Sequence, residues 1–374
     1  MKIKLLLIFV LSTSIINAQT AKTLQFGGIT RNYLEYVPSI YNGSTPVPVV
    51  ICLHGLGDNM NNFFGIGMNY IADTANFIVL TPQAIYDALA GGNAWNSGAS
   101  YQGYQLSQTI NDVGFINALL DSVTATYNID QTRIYATGFS LGGFMCQRLA
   151  CESTARFTAI ASVSGTIGTS LNCNPSGEIP VCHFHGTADG SIAYTGNMYG
   201  NDPETLVNYW VTYNGCNTTP IHTALPDIVA DGRTVDHYLY PNGNNNTDVE
   251  FYKVTGGTHE WLYYPANDIT YTLEIWKFFM KYPKTPASII NNENEINIEI
   301  YPNPANSYLT IQNTKGNNRL TIQIIDFSGK VQYSNQNFKS VTINTKQWSN
   351  GIYLLKYSDS NSFSIKKFIV NNAN

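Results

Sequence analysis

The pentapeptide Gly138-Phe139-Ser140-Leu141-Gly142 constrains this chain more than any other stretch. It directly follows the β-branched and aromatic run Arg133-Ile134-Tyr135-Ala136-Thr137 and directly precedes a helical pattern over 141–151. That is the strand–turn–helix context of a nucleophile elbow, in which a strained turn projects the serine oxygen above a sheet. Glycines must flank the serine, because a side chain there would collide with neighbouring backbone. The chain holds 30 glycines, so the pentapeptide alone is only moderately specific. Its flanking elements carry the assignment.

Strand-like and helix-like stretches alternate across 24–282. Residues 33–37 and 47–53 read as strands, the second ending in His54-Gly55, and 77–81 is a short apolar strand stopped by Pro82. The spacing of Val113, Ile116, Leu119, Leu120 and Val123 predicts a helix over 108–127. Apolar strands over 157–163, 179–184 and 248–254 follow the elbow, and 268–282 reads as a final amphipathic helix. This alternation predicts an α/β domain whose mostly parallel sheet is covered on both faces. From 284 the chain runs through Pro286 into an Asn/Glu-rich linker. Beyond it helical periodicity disappears, and short alternating segments between Asn, Gly and Ser turns predict a small all-β sandwich.

The N-terminus has the order of a secretory signal. Lys2 and Lys4 precede the apolar run 5–11, and the expected cleavage follows Ala18. The apolar run is far shorter than the roughly 18 residues a membrane span needs. The expected division is therefore a signal peptide at 1–18, an α/β domain at 19–283, a linker at 284–297 and the sandwich at 298–374.

An elbow serine requires an acid and then a histidine later in the chain. Asp189 lies in the loop Gly186-Thr187-Ala188-Asp189 that closes the strand at 179–184. The competing acids are Glu178, before that strand, and Asp202, in an Asn-rich loop. Of the six histidines, His259 in Gly256-Gly257-Thr258-His259-Glu260-Trp261 precedes the last helix and fits the base. His222 and His237 read as solvated. His183 and His185 alternate along a strand with no third ligand at suggestive spacing, so packing beneath the site is expected, not a metal. Oxyanion donors are expected from the backbone amides of Leu141, just after the nucleophile, and of Leu56 or Gly57 in the loop after His54. Each such donor is worth about 3 to 4 kcal/mol to a tetrahedral intermediate.

Composition narrows the setting. Charged residues make up 12% of the 374, against a typical figure of about 25%. A surface carried by neutral polar groups and 25 tyrosines suits an exported protein. Net charge −5 argues against a nucleic-acid partner, which would call for a basic face. Six cysteines in an oxidising compartment can pair. Cys52, inside an apolar run, reads as a buried thiol, and the loop residues Cys173 and Cys216 are the candidates for pairing. No CxxC occurs, so no zinc cluster of the cysteine type is indicated.

Six ordered motifs carry a resemblance. They are residues 31–38, Leu53-His54-Gly55-Leu56-Gly57, Asn111-Asp112-Val113-Gly114-Phe115-Ile116, the elbow with Gly143, His185-Gly186-Thr187-Ala188-Asp189, and Gly257-Thr258-His259. Together they resemble the secreted polyhydroxybutyrate depolymerase and feruloyl esterase group of α/β-hydrolases. The resemblance implies an α/β-hydrolase fold and a serine esterase with Ser140, Asp189 and His259 as triad. It implies no metal or organic cofactor, and an ester substrate, polymeric in kind. Trp95 and Trp261 are the expected substrate contacts. Residues 300–305, Gly351-Ile352-Tyr353-Leu354 and Lys366-Lys367-Phe368-Ile369-Val370 resemble the sorting domain of type IX secretion, which implies export through the periplasm to the outer surface or beyond. Two other readings compete. A peptidase of the prolyl-oligopeptidase kind would use the same triad, but the N-terminal propeller-like repeat expected of it is not read in this sequence. A non-catalytic binding protein would have no reason to fill all three triad positions.

Overall fold

A computed structural model describes residues 19–283, 298–314, 320–326, 330–358 and 363–372. The expected signal peptide and linker lie outside them. Two compact units divide the chain, Met1–Lys284 and Thr285–Asn374.

The first unit is built on one ten-stranded sheet. In chain order its elements are β1 (Gln19–Phe26), β2 (Ile29–Tyr36), β3 (Val47–Leu53), helices α1 (Met60–Phe64) and α2 (Met68–Ala75), and β4 (Ile78–Pro82). Two small hairpins follow, β5 (Ile85–Asp87) with β6 (Gly92–Ala94), and β7 (Ser100–Tyr101) with β8 (Tyr104–Gln105). Then come α3 (Asp112–Thr126), β9 (Ile129–Phe139), α4 (Leu141–Glu152), β10 (Ala159–Val163) and β11 (Val181–Gly186). The unit ends with α5 (Pro203–Asn214), β12 (Ile221–Ala224), β13 (Thr234–Tyr240), β14 (Val249–Thr255) and α6 (Tyr271–Phe279). The strand order is β1-β2-β4-β3-β9-β10-β11-β14-β13-β12. The run from β4 to β14 is parallel, and the pairs at both edges are antiparallel.

Burial explains why the centre is parallel. Every residue of β3 is buried, and successive side chains go to opposite faces. Val49, Ile51 and Leu53 enter one apolar layer with Leu119 of α3, Leu149 of α4 and Trp210 of α5. Val50 and Cys52 enter the other with Phe63 of α1, Ala72 of α2 and Ile275 of α6. Strands buried on both sides read as continuous apolar runs, which is how they were visible in the sequence. The antiparallel edges carry mixed polar residues and were not: β1, β12 and β13 go beyond the expectation, as do α1, α2 and α5. Among the described residues no helix is long and apolar enough to cross a membrane.

The second unit contains two antiparallel sheets. One joins Ile298–Tyr301, Tyr308–Asn313 and Ser340–Asn344; the other joins Val331–Phe338, Leu320–Asp326, Gly351–Ser358 and Phe363–Val370. Leu309, Ile311, Ile322, Ile324, Leu355 and Phe368 fill the space between them. Trp348 packs against this core, its ring 5.1 Å from that of Tyr353.

Candidate active site

The turn at Ser140 has the strain that the sequence demands. Its φ is +54° with ψ −121°, a region closed to most side chains and found where function holds it. The amide donates to the Val163 carbonyl at 2.8 Å, and the Ser140 carbonyl accepts from Phe144 N–H at 3.0 Å. Space, not dihedral freedom, dictates the flanking glycines. A Cβ on Gly138 would stand 2.4 Å from the Gly142 carbonyl oxygen, and one on Gly142 would stand 1.9 Å from that of Leu53. Gly143 would meet the Val163 carbonyl oxygen at 2.9 Å. The elbow is wedged between β3 and β10.

Asp189 sits just beyond β11, its side chain fully buried. Its Oδ1 accepts from the amides of Ser191 at 2.9 Å and Ile192 at 2.8 Å. Its Oδ2 faces His259 Nδ1 at 2.7 Å. A carboxylate only accepts, so Nδ1 carries the proton and Nε2 is left as the basic nitrogen. Burial opposes the charge on Asp189, but the His259 hydrogen bond and charge and the Ile192 amide outweigh it and hold the carboxyl below its usual range. Backbone packing brings the two loops together: a Cβ on Gly186 would stand 2.2 Å from the Gly257 carbonyl oxygen. The His259 ring lies 4.6 Å, centroid to centroid, from Phe139, the residue before the serine. Among the described residues the Ser140 hydroxyl makes no hydrogen bond, so the serine–histidine link is open in this structure. Such links commonly tighten only with substrate bound.

The loop after β3 passes beside the nucleophile. A Cβ on Gly55 would stand 3.4 Å from that of Ser140. Leu141 opens α4, and the amide of a first helical residue has no intrahelical acceptor. The Leu56 amide makes no hydrogen bond among the described residues. Gly57 is a correction, since its amide already donates to the Asn93 carbonyl at 2.9 Å and is not free for an oxyanion.

Trp95 is also corrected. It is completely buried, its indole N–H donates to the His54 carbonyl at 2.9 Å, and it braces the loop from beneath instead of facing a substrate. His54 accepts from the Ala84 amide at Nε2 (3.1 Å) and donates from Nδ1 to the Gly55 carbonyl (2.8 Å). Burial lowers its pKa, keeping it neutral. Trp261 lies near the elbow. Its half-buried indole stands edge-on to Phe139 at 6.4 Å and to Phe63 at 5.7 Å, with its N–H spent on Thr272.

A feature invisible in the sequence supports the acid. Trp210 N–H donates to Gln147 (2.8 Å), Gln147 to Ser162 (2.8 Å), and Ser162 meets His183 Nδ1 (2.7 Å). His183 Nε2 meets His185 Nδ1 (3.1 Å), and His185 Nε2 meets the Ile192 carbonyl (2.8 Å). An indole can only donate and a carbonyl can only accept, so both ends force one direction on the chain and fix both tautomers. Burial lowers the pKa of His185 and pushes that of His183 well down, so both are neutral. His185 Nε2 lies 3.7 Å from Asp189 Oδ2, yet it forms no ion pair while neutral. The chain ends on Ile192, whose amide holds Asp189.

The remaining polar candidates are structural. Asp202 caps α5 through the Thr205 amide at 2.8 Å, and Glu178 accepts from Asn245 at 2.8 Å. His237 is not solvated, for it bonds the buried Glu250 at 2.8 Å and stacks on Tyr252; His222 is exposed and pairs with Asp236. Cys173 pairs with Cys151, whereas Cys216 is a buried thiol, like Cys52, Cys146 and Cys182. Among the described residues no group of His, Cys, Asp or Glu is arranged to hold a metal ion.

Sheet order, elbow and the Asp–His pair are those of an α/β-hydrolase. Residues 37–201 match the Phospholipase/Carboxylesterase family, and residues 299–371 match the Secretion system C-terminal sorting domain. A probable feruloyl esterase C of Aspergillus oryzae is 31% identical over 264 residues, spanning 67% of this chain and 84% of its own. Feruloyl esterase C of Emericella nidulans is 31% identical over 201 residues, and the match spans 51% of this chain and 64% of that protein's length. The acetyl xylan esterase from Aspergillus awamori shares the fold, with TM-score 0.51 at 15% identity over 70% of this chain and 99% of its own. The chain belongs to the feruloyl esterase family of α/β-hydrolases. Its sorting domain marks it as a secreted or cell-surface protein of the type IX route.

Proposed function

We propose that Ser140, His259 and Asp189 hydrolyse feruloyl or acetyl esters of plant polysaccharide by acyl transfer. His259 Nε2 takes the Ser140 proton as Oγ attacks the ester carbonyl, and the amides of Leu141 and Leu56 receive the oxyanion. Collapse of the tetrahedral intermediate expels the alcohol, which leaves with the proton held by His259. Water, deprotonated by the same nitrogen, then attacks the acyl-enzyme and releases the acid, restoring the Ser140 hydroxyl. Asp189 fixes the tautomer of His259 and stabilises its cation. The observation that carries this reading is the strained Ser140 turn, with His259 packed on the neighbouring Phe139 and tied to Asp189 at 2.7 Å. The polysaccharide preference draws support from relatives that are themselves feruloyl esterases. Trp261 is proposed to wall the acyl group.

Methyl ferulate, acetylated xylan and a polyhydroxybutyrate suspension, assayed side by side, test the substrate class. Turnover of either of the first two is expected. Turnover of the polyester alone would overturn the polysaccharide reading and leave the esterase chemistry standing.

A further inference from the structure

Beside the oxyanion loop lies a groove of about 590 Å³, lined by both small hairpins and the segment leading to α3. We infer that this groove is a binding subsite for a neutral oligosaccharide, the glycan part of the ester proposed above. The inference rests on that reading for its context but not for its chemistry.

Location comes first. Tyr86 of β5 pairs across the hairpin with Asn93 of β6, and cross-strand partners are about 5 Å apart. The Asn93 carbonyl accepts the Gly57 amide at 2.9 Å, and a Cβ on Gly92 would stand 2.8 Å from the Gly57 Cα. The hairpin that forms the groove rim is thus bonded directly to the loop lying over Ser140. A glycan in the groove is then expected to reach the ester at Ser140 as part of one molecule.

The lining then selects the ligand. Tyr86 and Tyr104 are 64% and 60% exposed, and neither ring stacks on another among the described residues. Rings left in water beside a cavity offer an apolar face with a hydroxyl at the tip. Among the described residues the lining holds no Lys, Arg or His, so a phosphate or other anion has no counter-charge there. Its one carboxylate, Asp87, is committed to the fold. Oδ1 accepts from Leu89 at 2.8 Å and Ala90 at 3.1 Å, and Oδ2 from the Ser107 amide at 2.7 Å. What remains is uncharged and both donates and accepts: the exposed amide of Gln108, the hydroxyl of Thr109 and the two phenols.

A sugar ring matches all of this. It carries an apolar face for a tyrosine and hydroxyls that donate and accept. A polyester offers carbonyl acceptors only and would leave the acceptors of the groove unused. The floor is also preorganised. Gln105 donates to Asn96 at 2.9 Å, and the Asn96 amide donates to Asp112 at 2.7 Å. Asp112 in turn is locked to the buried Arg31 at 2.7 Å. Rigid sites lose less on binding.

The test uses the full chain. Ser140→Ala protein should bind an unesterified arabinoxylan oligosaccharide in calorimetry or ligand-observed NMR. Adding Tyr86→Ala and Tyr104→Ala, both exposed and safe for folding, should weaken that binding about ten-fold or more. On the Ser140 background, the double tyrosine variant should lower the ratio of kcat/KM on a feruloylated arabinoxylan oligosaccharide to that on methyl ferulate by a similar factor, mainly through KM. No oligosaccharide binding by Ser140→Ala, or binding unchanged by the tyrosine substitutions, would overturn the inference. Displacement of the oligosaccharide by a hydroxybutyrate oligomer would also overturn it. Inactivity of the parent on both esters would sink the esterase reading alone, and the binding arm would still decide the groove.

Discussion

In the proposed mechanism Ser140 and His259 share one proton transfer, so their losses should not add. Ser140→Ala and His259→Ala should each lower kcat by roughly a million-fold, and the double variant by about as much. Asp189→Ala should cost less, on the order of ten-thousand-fold, because it orients the base and moves no proton. Asp202→Ala serves as the contrast. It removes the cap on α5 and should cost about 1 kcal/mol of stability in a urea melt while kcat stays near that of the parent. A crippled Asp202→Ala beside an active Asp189→Ala would reassign the acid. The buried histidines make a prediction about pH. Their folded pKa values lie below the ordinary 6.5, so as pH falls through that value only the unfolded chain gains protons. Stability is present above about pH 6.5 and is lost as pH falls below it, by at most about 1.4 kcal/mol per pH unit for each histidine. Unfolding midpoints should therefore fall steeply from pH 7 to 5. Replacing His183 by phenylalanine should flatten that fall; an unchanged slope would mean the chain of hydrogen bonds does not hold these rings neutral.

Elements differ in how plainly the sequence announces them. Buried strands such as β3 and the elbow after β9 were legible, because burial on both faces and the glycine requirement each leave a local signature. The edge strands β1 and β12 were not, since an exposed strand is selected by its neighbour's free backbone and its side chains can be almost anything. The pairing of Asp189 with His259 was legible as chain order plus loop position. The chain from Trp210 to Ile192 was not, for its members come from separate elements that meet only after the sheet forms. Gly57 and Trp95 failed as site residues for a related reason: the Asn93 carbonyl that occupies one and the loop that covers the other are tertiary neighbours. The Cys151–Cys173 link ties the end of α4 to the loop after β10 across a separation of 22 residues. Closing a loop of that length should be worth about 3 kcal/mol. Reduction, or Cys151→Ser, should lower the unfolding free energy by up to that amount, and an undiminished value under reducing conditions would deny the bond a stabilising role. The elbow lies at the other end of α4, so activity at 25 °C should survive.

At the scale of the molecule, the proposed catalytic residues and the residues that match the sorting domain fall in separate units. Each proposed catalytic residue lies within Met1–Lys284, and the described core residues of the sandwich form a cluster within the second unit. A chain ending at Lys284 should therefore retain full esterase activity, since a unit with its own core folds alone. A folded truncation with lost turnover would show that the second unit contributes to the site. In a host with type IX export, the same truncation should strand the enzyme in the periplasm. One measurement bears on the central claim most directly. Protein treated with a fluorophosphonate should gain the mass of a single adduct, peptide mapping should locate it on Ser140, and Ser140→Ala protein should take up none. An unlabelled parent, or an adduct on another serine, would contradict the assignment of Ser140 as the activated nucleophile.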